Sequence, residues 1–68
     1  MRGVIKEFDV ERGLGLVAGE GVELPFHCTK IADGSREIPV GIPVEFAVAP
    51  GPLGRWEAVE IRRRPGTG

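Results

Sequence analysis

Apolar and polar residues alternate in short runs along this chain, and a period of two predicts β-strands. The clearest run is residues 44–49, where valine, phenylalanine and valine alternate with glutamate and two alanines, so one face of that strand is expected to be buried. In the last run we expect Trp56, Ala58 and Glu60 to share one face. With similar runs, bounded by glycine, proline or charged residues, the pattern predicts five strands, at residues 4–8, 14–18, 22–27, 44–49 and 56–61.

The segments between these runs carry residues that are typical of turns. Glycines bracket residues 19–21, which favours a tight hairpin, and residues 28–43 collect two glycines and two prolines without a clean period. Three strands in a meander followed by a long connection are what a five-stranded Greek-key barrel needs. We therefore predict an all-β barrel over residues 1–62, with an SH3-like barrel as the alternative, and a flexible basic tail over residues 63–68.

Composition limits the classes of protein that this chain can represent. With 68 residues, 11 of them glycine and 6 proline, it forms one small domain without long helices, and its 41% hydrophobic content is enough for a core. No apolar run approaches the ~20 residues that cross a bilayer, so we expect a soluble cytoplasmic protein without a membrane partner. A single cysteine and a single histidine exclude an internal disulfide and favour neither a metal site nor a bound cofactor.

The distribution of charge is more informative than its sum. The net charge is −1, but three consecutive arginines, Arg62, Arg63 and Arg64, lie near the end, and without them the remaining body carries −4. An acidic body disfavours binding to duplex DNA, where affinity grows with the number of phosphates that are neutralised. Recognition of single strands by stacking stays open, and the arginine run is either a solvated tail or a means of electrostatic capture.

Several segments resemble the cold-shock domain, an OB-fold module that binds single-stranded RNA and DNA. Residues 12–17, Arg-Gly-Leu-Gly-Leu-Val, resemble the family's first ribonucleoprotein motif, Lys-Gly-Phe-Gly-Phe-Ile. Residues 24–28 fall where its second motif, Val-Phe-Val-His-Phe, is expected, and residues 3–9 and 41–46 resemble the opening strand and the Gly-Gln-x-Val-x-Phe segment. The resemblance runs from residue 3 to about residue 61 and implies a cold-shock-like OB-fold that binds a single strand.

The rings on which family members stack bases are largely replaced in this chain. At the positions of the family's aromatic residues it has Glu7, Leu14, Leu16, Pro25, Cys28 and Ser35, and only His27 is retained. Stacking contributes roughly 1–3 kcal/mol per base, so we expect binding that is on the order of a thousandfold weaker and depends steeply on salt. The predicted nucleic-acid-binding residues are Lys6, Arg12, Leu14, Leu16, His27, Arg55 and Trp56.

The replacement of the rings also supports a second hypothesis of a different class. Leu14, Leu16, Pro25 and Cys28 would form an exposed aliphatic patch that binds a protein partner or a second copy of the chain, unless the tail or a loop covers it. Pro25 cannot donate to a ladder and restricts its strand to an edge or a bulge. Trp56 is either a relocated stacking ring or a core tryptophan. We do not predict an enzyme, because Cys28 and His27 are adjacent in a strand and are expected on opposite faces.

Overall fold

The computed structural model describes residues 1–64, which form five β-strands and two short 3-10 helices. The strands are β1 (Arg2–Asp9), β2 (Leu14–Gly19), β3 (Val22–His27), β4 (Pro43–Pro50) and β5 (Trp56–Arg63), and the 3-10 helices are Cys28–Lys30 and Pro52–Gly54. Every predicted strand is present. The predicted tail started at residue 63, whereas Arg63 is the last residue of β5; the part of that tail at residues 65–68 lies outside the described residues.

The five strands form one antiparallel sheet in the order β3-β2-β1-β4-β5. β1 pairs with both β2 and β4, so the first three strands form a meander and the long connection carries the chain across to β4. Beyond the sheet, β3 packs against β5, Ile31 forms a parallel bridge to Ile61, and the Ala32 N–H donates to the Ile61 carbonyl at 2.8 Å. The sheet thereby curls into a five-stranded Greek-key barrel of the OB-fold type.

The barrel interior is apolar. Phe26 is stacked against Phe8, with ring centroids 5.9 Å apart and planes 12° from parallel. Phe8 is half-buried. In the described residues, no buried side-chain nitrogen or oxygen lacks a hydrogen-bond partner, so this core needs no buried polar network. Its buried side chains come from all five strands and from the loop before β4, namely Ile5, Val17, Phe26, Ile31, Ile38, Val44, Phe46, Ala58 and Ile61.

A bulge in β5 changes which side chains of that strand are buried. Ala47 is opposite Val59 but Glu45 is opposite Arg62, so β5 holds one extra residue between these pairs. Glu60 lies in that stretch with a φ of 51°, in the left-handed region that L-residues seldom adopt. The extra residue returns Ile61 to the interior beside Ala58, and the expected strict alternation of Ala58 and Glu60 on one face is wrong.

Pro25 explains the position of β3 at the sheet edge. The β2–β3 pairing is unbroken from Leu14 opposite His27 to Gly19 opposite Val22. The Cys28 N–H donates to the Gly13 carbonyl, so every second pair along β2 and β3, counted from this one, is a hydrogen-bonded pair. Pro25 belongs to one of the intervening pairs, in which the backbone N–H and C=O groups point away from the neighbouring strand. The proline ring therefore interrupts no ladder bond. The prediction of an edge or a bulge is confirmed as an edge strand.

Within residues 1–64 there is no helix with the length and apolar character needed to span a bilayer.

Candidate nucleic-acid interface

Strand register gathers six of the outward side chains of β1, β2 and β3 into two rows. Asp9 is opposite Leu14, which is opposite His27; one step along the sheet, Glu7 is opposite Leu16, which is opposite Pro25. We call this surface the platform and define it by Glu7, Asp9, Leu14, Leu16, Pro25 and His27. Leu16 is half-buried and the other five are exposed, with Leu14 48% exposed. Neither leucine packs into the barrel, so within the described residues no loop covers the platform fully.

Glycine in β2 holds the platform close to the core. A Cβ atom on Gly15 would lie 2.5 Å from the Phe26 ring and 2.7 Å from the Glu7 carbonyl oxygen. Both separations are shorter than real Cβ contacts, so only glycine lets the ring of Phe26 pass beneath β2. In the segment Gly13–Leu16, Gly15 thus makes room for the Phe26 ring in the core, and the two leucines point outward.

Two basic side chains that were predicted to bind nucleic acid form exposed ion pairs with carboxylates. The Lys6 ammonium donates to the Glu23 carboxylate, and the hydrogen bond and charge of Glu23 raise the pKa of Lys6. Arg12 Nε lies 3.8 Å from Oδ2 of Asp9, the residue three positions earlier at the end of β1. Within residues 1–64, Glu7 has no basic side chain within 4 Å. The platform is therefore apolar at its centre and close to neutral or acidic at its rim.

His27 ends β3 and caps the 3-10 helix that follows. Its Nδ1 accepts from the Thr29 N–H at 3.2 Å and lies 3.0 Å from the Thr29 hydroxyl. Cys28 Sγ is 3.8 Å from the same Nδ1. The expectation that Cys28 and His27 point to opposite faces is wrong, because β3 ends at His27 and strand alternation does not extend to Cys28. The thiol is half-buried at the margin of the platform, and a Cβ on Gly13 would lie 2.8 Å from Sγ.

Trp56 and Arg55 are not part of the platform. Trp56 is 60% exposed, so the alternative of a core tryptophan is wrong. It lines an apolar groove of about 400 Å³ with Val22 and Leu24, which alternate along β3 with the outward Glu23 and Pro25. We call this the Trp56 groove and define it by Met1, Val22, Leu24, Val48 and Trp56. Val48, expected in the buried face of β4, is 37% exposed here.

A contact that the sequence did not indicate holds the loop between β3 and β4. Arg63 Nε lies 3.1 Å from Asp33 Oδ2, and Arg63 Nη2 donates to the Ser35 hydroxyl and to the Glu37 carbonyl. The Ser35 N–H donates to Asp33 at 2.8 Å. This Ser35 N–H and, after it, the Ser35 hydroxyl and the Arg63 charge lower the pKa of Asp33. From the sequence, the arginine run indicated only a cluster of positive charge. Arg63 anchors the loop because β5 ends at this residue.

Of the comparisons with known proteins, the one with solved structures agrees with this architecture. No protein-family model and no curated protein matches the sequence. Among solved structures, the chain is similar to Drosophila Unr CSD456, with a TM-score of 0.77 and 30% sequence identity over 98% of this chain and 27% of that chain. The chain thus spans little more than a quarter of the length of that structure.

The sheet topology and this likeness together define the fold of the chain. The topology is that of an all-β OB-fold barrel, as predicted. Within that class, the chain has a cold-shock domain fold. Lys6, Arg12, Leu14, Leu16 and His27 come together around the platform, whereas Arg55 and Trp56 lie elsewhere.

Proposed function

We propose that this chain binds single-stranded RNA or DNA weakly, through the platform. The observation that carries the proposal is the shared register of Leu14, Leu16, Pro25 and His27, which form one exposed surface in a cold-shock domain fold. Apolar side chains give the face of an unpaired base a surface that excludes water, and His27 adds one ring. A strand laid across β1–β3 would meet these four side chains in succession.

The same geometry accounts for weak affinity. The leucines and the proline offer no π face, so each base gains less than the roughly 1–3 kcal/mol of a base on an aromatic ring. Lys6 and Arg12 are already engaged by Glu23 and Asp9, so a phosphate has to compete with a carboxylate for each of them. Glu7 adds repulsion on the β1 side of the platform.

Titration of a labelled single strand tests this proposal. Fluorescence anisotropy of a dye-labelled pyrimidine-rich strand at low salt should rise with protein, with half-saturation in the high micromolar range. Leu14→Glu, at a position 48% exposed, should weaken binding at least about fivefold, because it removes apolar contact and adds a carboxylate that repels phosphate.

Val40→Glu is the matched control. It adds the same charge at a residue that is 60% exposed in the loop before β4 and outside the platform register, and it should leave affinity within about twofold. Circular dichroism establishes that both variants are folded. The proposal fails if wild type binds no strand at low salt, or if Leu14→Glu and Val40→Glu bind equally well.

A second candidate function is supported by the apolar character of the platform. Leu14 is exposed beside Leu16 and Pro25, with Cys28 at the margin, and a surface of this kind suits a protein partner or a second copy of the chain. Sedimentation velocity discriminates the two functions: self-association that is lost in Leu14→Glu and retained in Val40→Glu supports this candidate, and a monomer at all concentrations argues against a homodimer.

We also propose binding without catalysis. His27 Nδ1 is used as the cap of a 3-10 helix, so the neighbouring Cys28 thiol shares an acceptor that the Thr29 N–H already occupies. A nucleophile needs a base that is free to take its proton.

A further inference from the structure

The Trp56 groove gathers four of the eight exposed large apolar side chains of the described residues in one place. Met1 is 45% exposed, Val22 42%, Val48 37% and Trp56 60%, and with the half-buried Leu24 they line about 400 Å³. A domain of this size gains stability by burying such groups, so their convergence on one groove indicates a surface that is covered when a ligand is bound. The volume is of the order that suits a small planar group.

Among the phenylalanine and tryptophan rings, Trp56 is the one most available for stacking. Phe26 and Phe46 are buried, and one face of the half-buried Phe8 is used by Phe26. The turn before Trp56 is held in shape, because Trp56 pairs with Pro50 and the Gly51 N–H donates to the Arg55 carbonyl at 2.5 Å. A ring presented from a fixed turn loses little entropy on binding.

The residue that precedes Trp56 in the chain offers a cation to an anionic ligand. Arg55 precedes Trp56, is exposed, and has no carboxylate within 4 Å in residues 1–64. Lys6 and Arg12 at the platform are both paired with acids. A single strand needs a base-stacking ring and a cation for the adjoining phosphate, and the described chain has the two in consecutive residues, Arg55 and Trp56, at the start of β5.

We propose that the Trp56 groove is a base-binding subsite, in which one nucleobase stacks on Trp56 and Arg55 contacts its phosphate. This inference rests on the proposed function, since the strand would continue from the platform. Edge strand β3 connects the two surfaces, because it supplies Pro25 and His27 to one and Val22 and Leu24 to the other. Stacking is tolerant of base identity, so the subsite would add affinity without sequence preference.

The test uses two readouts on the same titration. Anisotropy of a labelled pyrimidine-rich strand reports binding anywhere on the protein, and the emission of Trp56, the sole tryptophan, reports the groove. We expect the emission to be quenched in parallel with the rise in anisotropy. Trp56→Leu, which keeps an apolar groove without a ring, should weaken strand binding roughly tenfold, and Trp56→Phe should restore most of the affinity.

The outcomes separate this inference from the proposed function. If anisotropy rises while Trp56 emission stays constant, or if Trp56→Leu binds like wild type, the subsite is overturned and binding through the platform stands. If neither signal changes, both proposals are overturned. A shift of Trp56 emission with protein concentration alone, without strand, assigns the groove to a protein contact and also overturns the subsite.

Discussion

At the scale of single residues, a glycine in β2 allows this strand to lie close to the core. Gly15 lies above the ring of Phe26, which is 2% exposed, and no other residue leaves room for that ring. Gly21 has a different role. With Glu20 it forms the two-residue turn between β2 and β3, both at positive φ (82° and 51°), as a type I′ hairpin requires.

Gly15→Ala should therefore destabilise the fold by about 3 kcal/mol, because the new Cβ forces the Phe26 ring or the β1 backbone to move. Urea unfolding measures the change. Gly21→Ala is the control: nothing lies within 4 Å of its Cβ, so only the left-handed backbone opposes alanine, at about 1 kcal/mol. Equal losses in the two variants would mean that Gly15 is needed for its backbone and not for space.

At the scale of elements, the end of β5 anchors the long loop between β3 and β4. Arg63 joins Asp33, Ser35 and the Glu37 carbonyl. The loop therefore takes its shape from a strand that follows it by about thirty residues. Because this contact is exposed, it orders the loop locally and contributes little to the global free energy of unfolding.

Arg63→Ala should release the loop: amide exchange at residues 33–37 should speed up, while global stability falls by about 1 kcal/mol or less. Arg62→Ala, next in the chain and without an ion pair within 4 Å among residues 1–64, is the control and should leave the loop unchanged. Hydrogen exchange followed by NMR makes the comparison. Loop exchange that is the same in both variants would contradict the anchor.

The pH dependence of this anchor follows from the lowered pKa of Asp33. Since the pKa in the folded state lies below the unfolded value, the carboxylate stabilises the loop above the unfolded value and loses that effect as the pH falls through the folded one. NMR shifts of residues 33–37 should therefore move together below about pH 4 in wild type. In Arg63→Ala the same movement should begin at higher pH, because one of the causes that lower the pKa is gone.

At the scale of the whole molecule, the distribution of charge does not favour the binding of an anion at the platform. Residues 1–27, which build β1, β2 and β3, carry three basic and five acidic side chains, and residues 28–68 carry six basic and five acidic ones. The cations that are near the platform are paired. Long-range attraction of a nucleic acid to this face is therefore weak, and what binding it has depends on contact.

The salt dependence of strand binding should accordingly be shallow, which revises the steep dependence expected from sequence. With about two phosphate contacts, the logarithm of the binding constant should fall against the logarithm of salt concentration with a slope of roughly −1.4. Glu23→Gln frees Lys6 and should steepen the slope to about −2. A wild-type slope beyond about −4 would contradict a platform whose cations are neutralised.

The number of strands, their approximate bounds and the shared face of the two leucines of β2 follow from the sequence alone. Alternation placed Leu14 and Leu16 on one face, and Pro25 implied an edge, because these properties are local: each follows from the period of the strand or from a missing donor. The resemblance of two short motifs to the cold-shock domain led to the same barrel. That is why the fold was predictable from residues that lie near one another in the chain.

The contacts of the charged and aromatic side chains depend on the tertiary structure. The pairing of Lys6 with Glu23, the anchor at Arg63 and the exposure of Trp56 all depend on which residues lie opposite one another after the barrel closes. One extra residue at Glu60 is enough to turn the side chains of β5 around. Contacts between distant segments are set by register and loop path, and neither is a property of any local pattern.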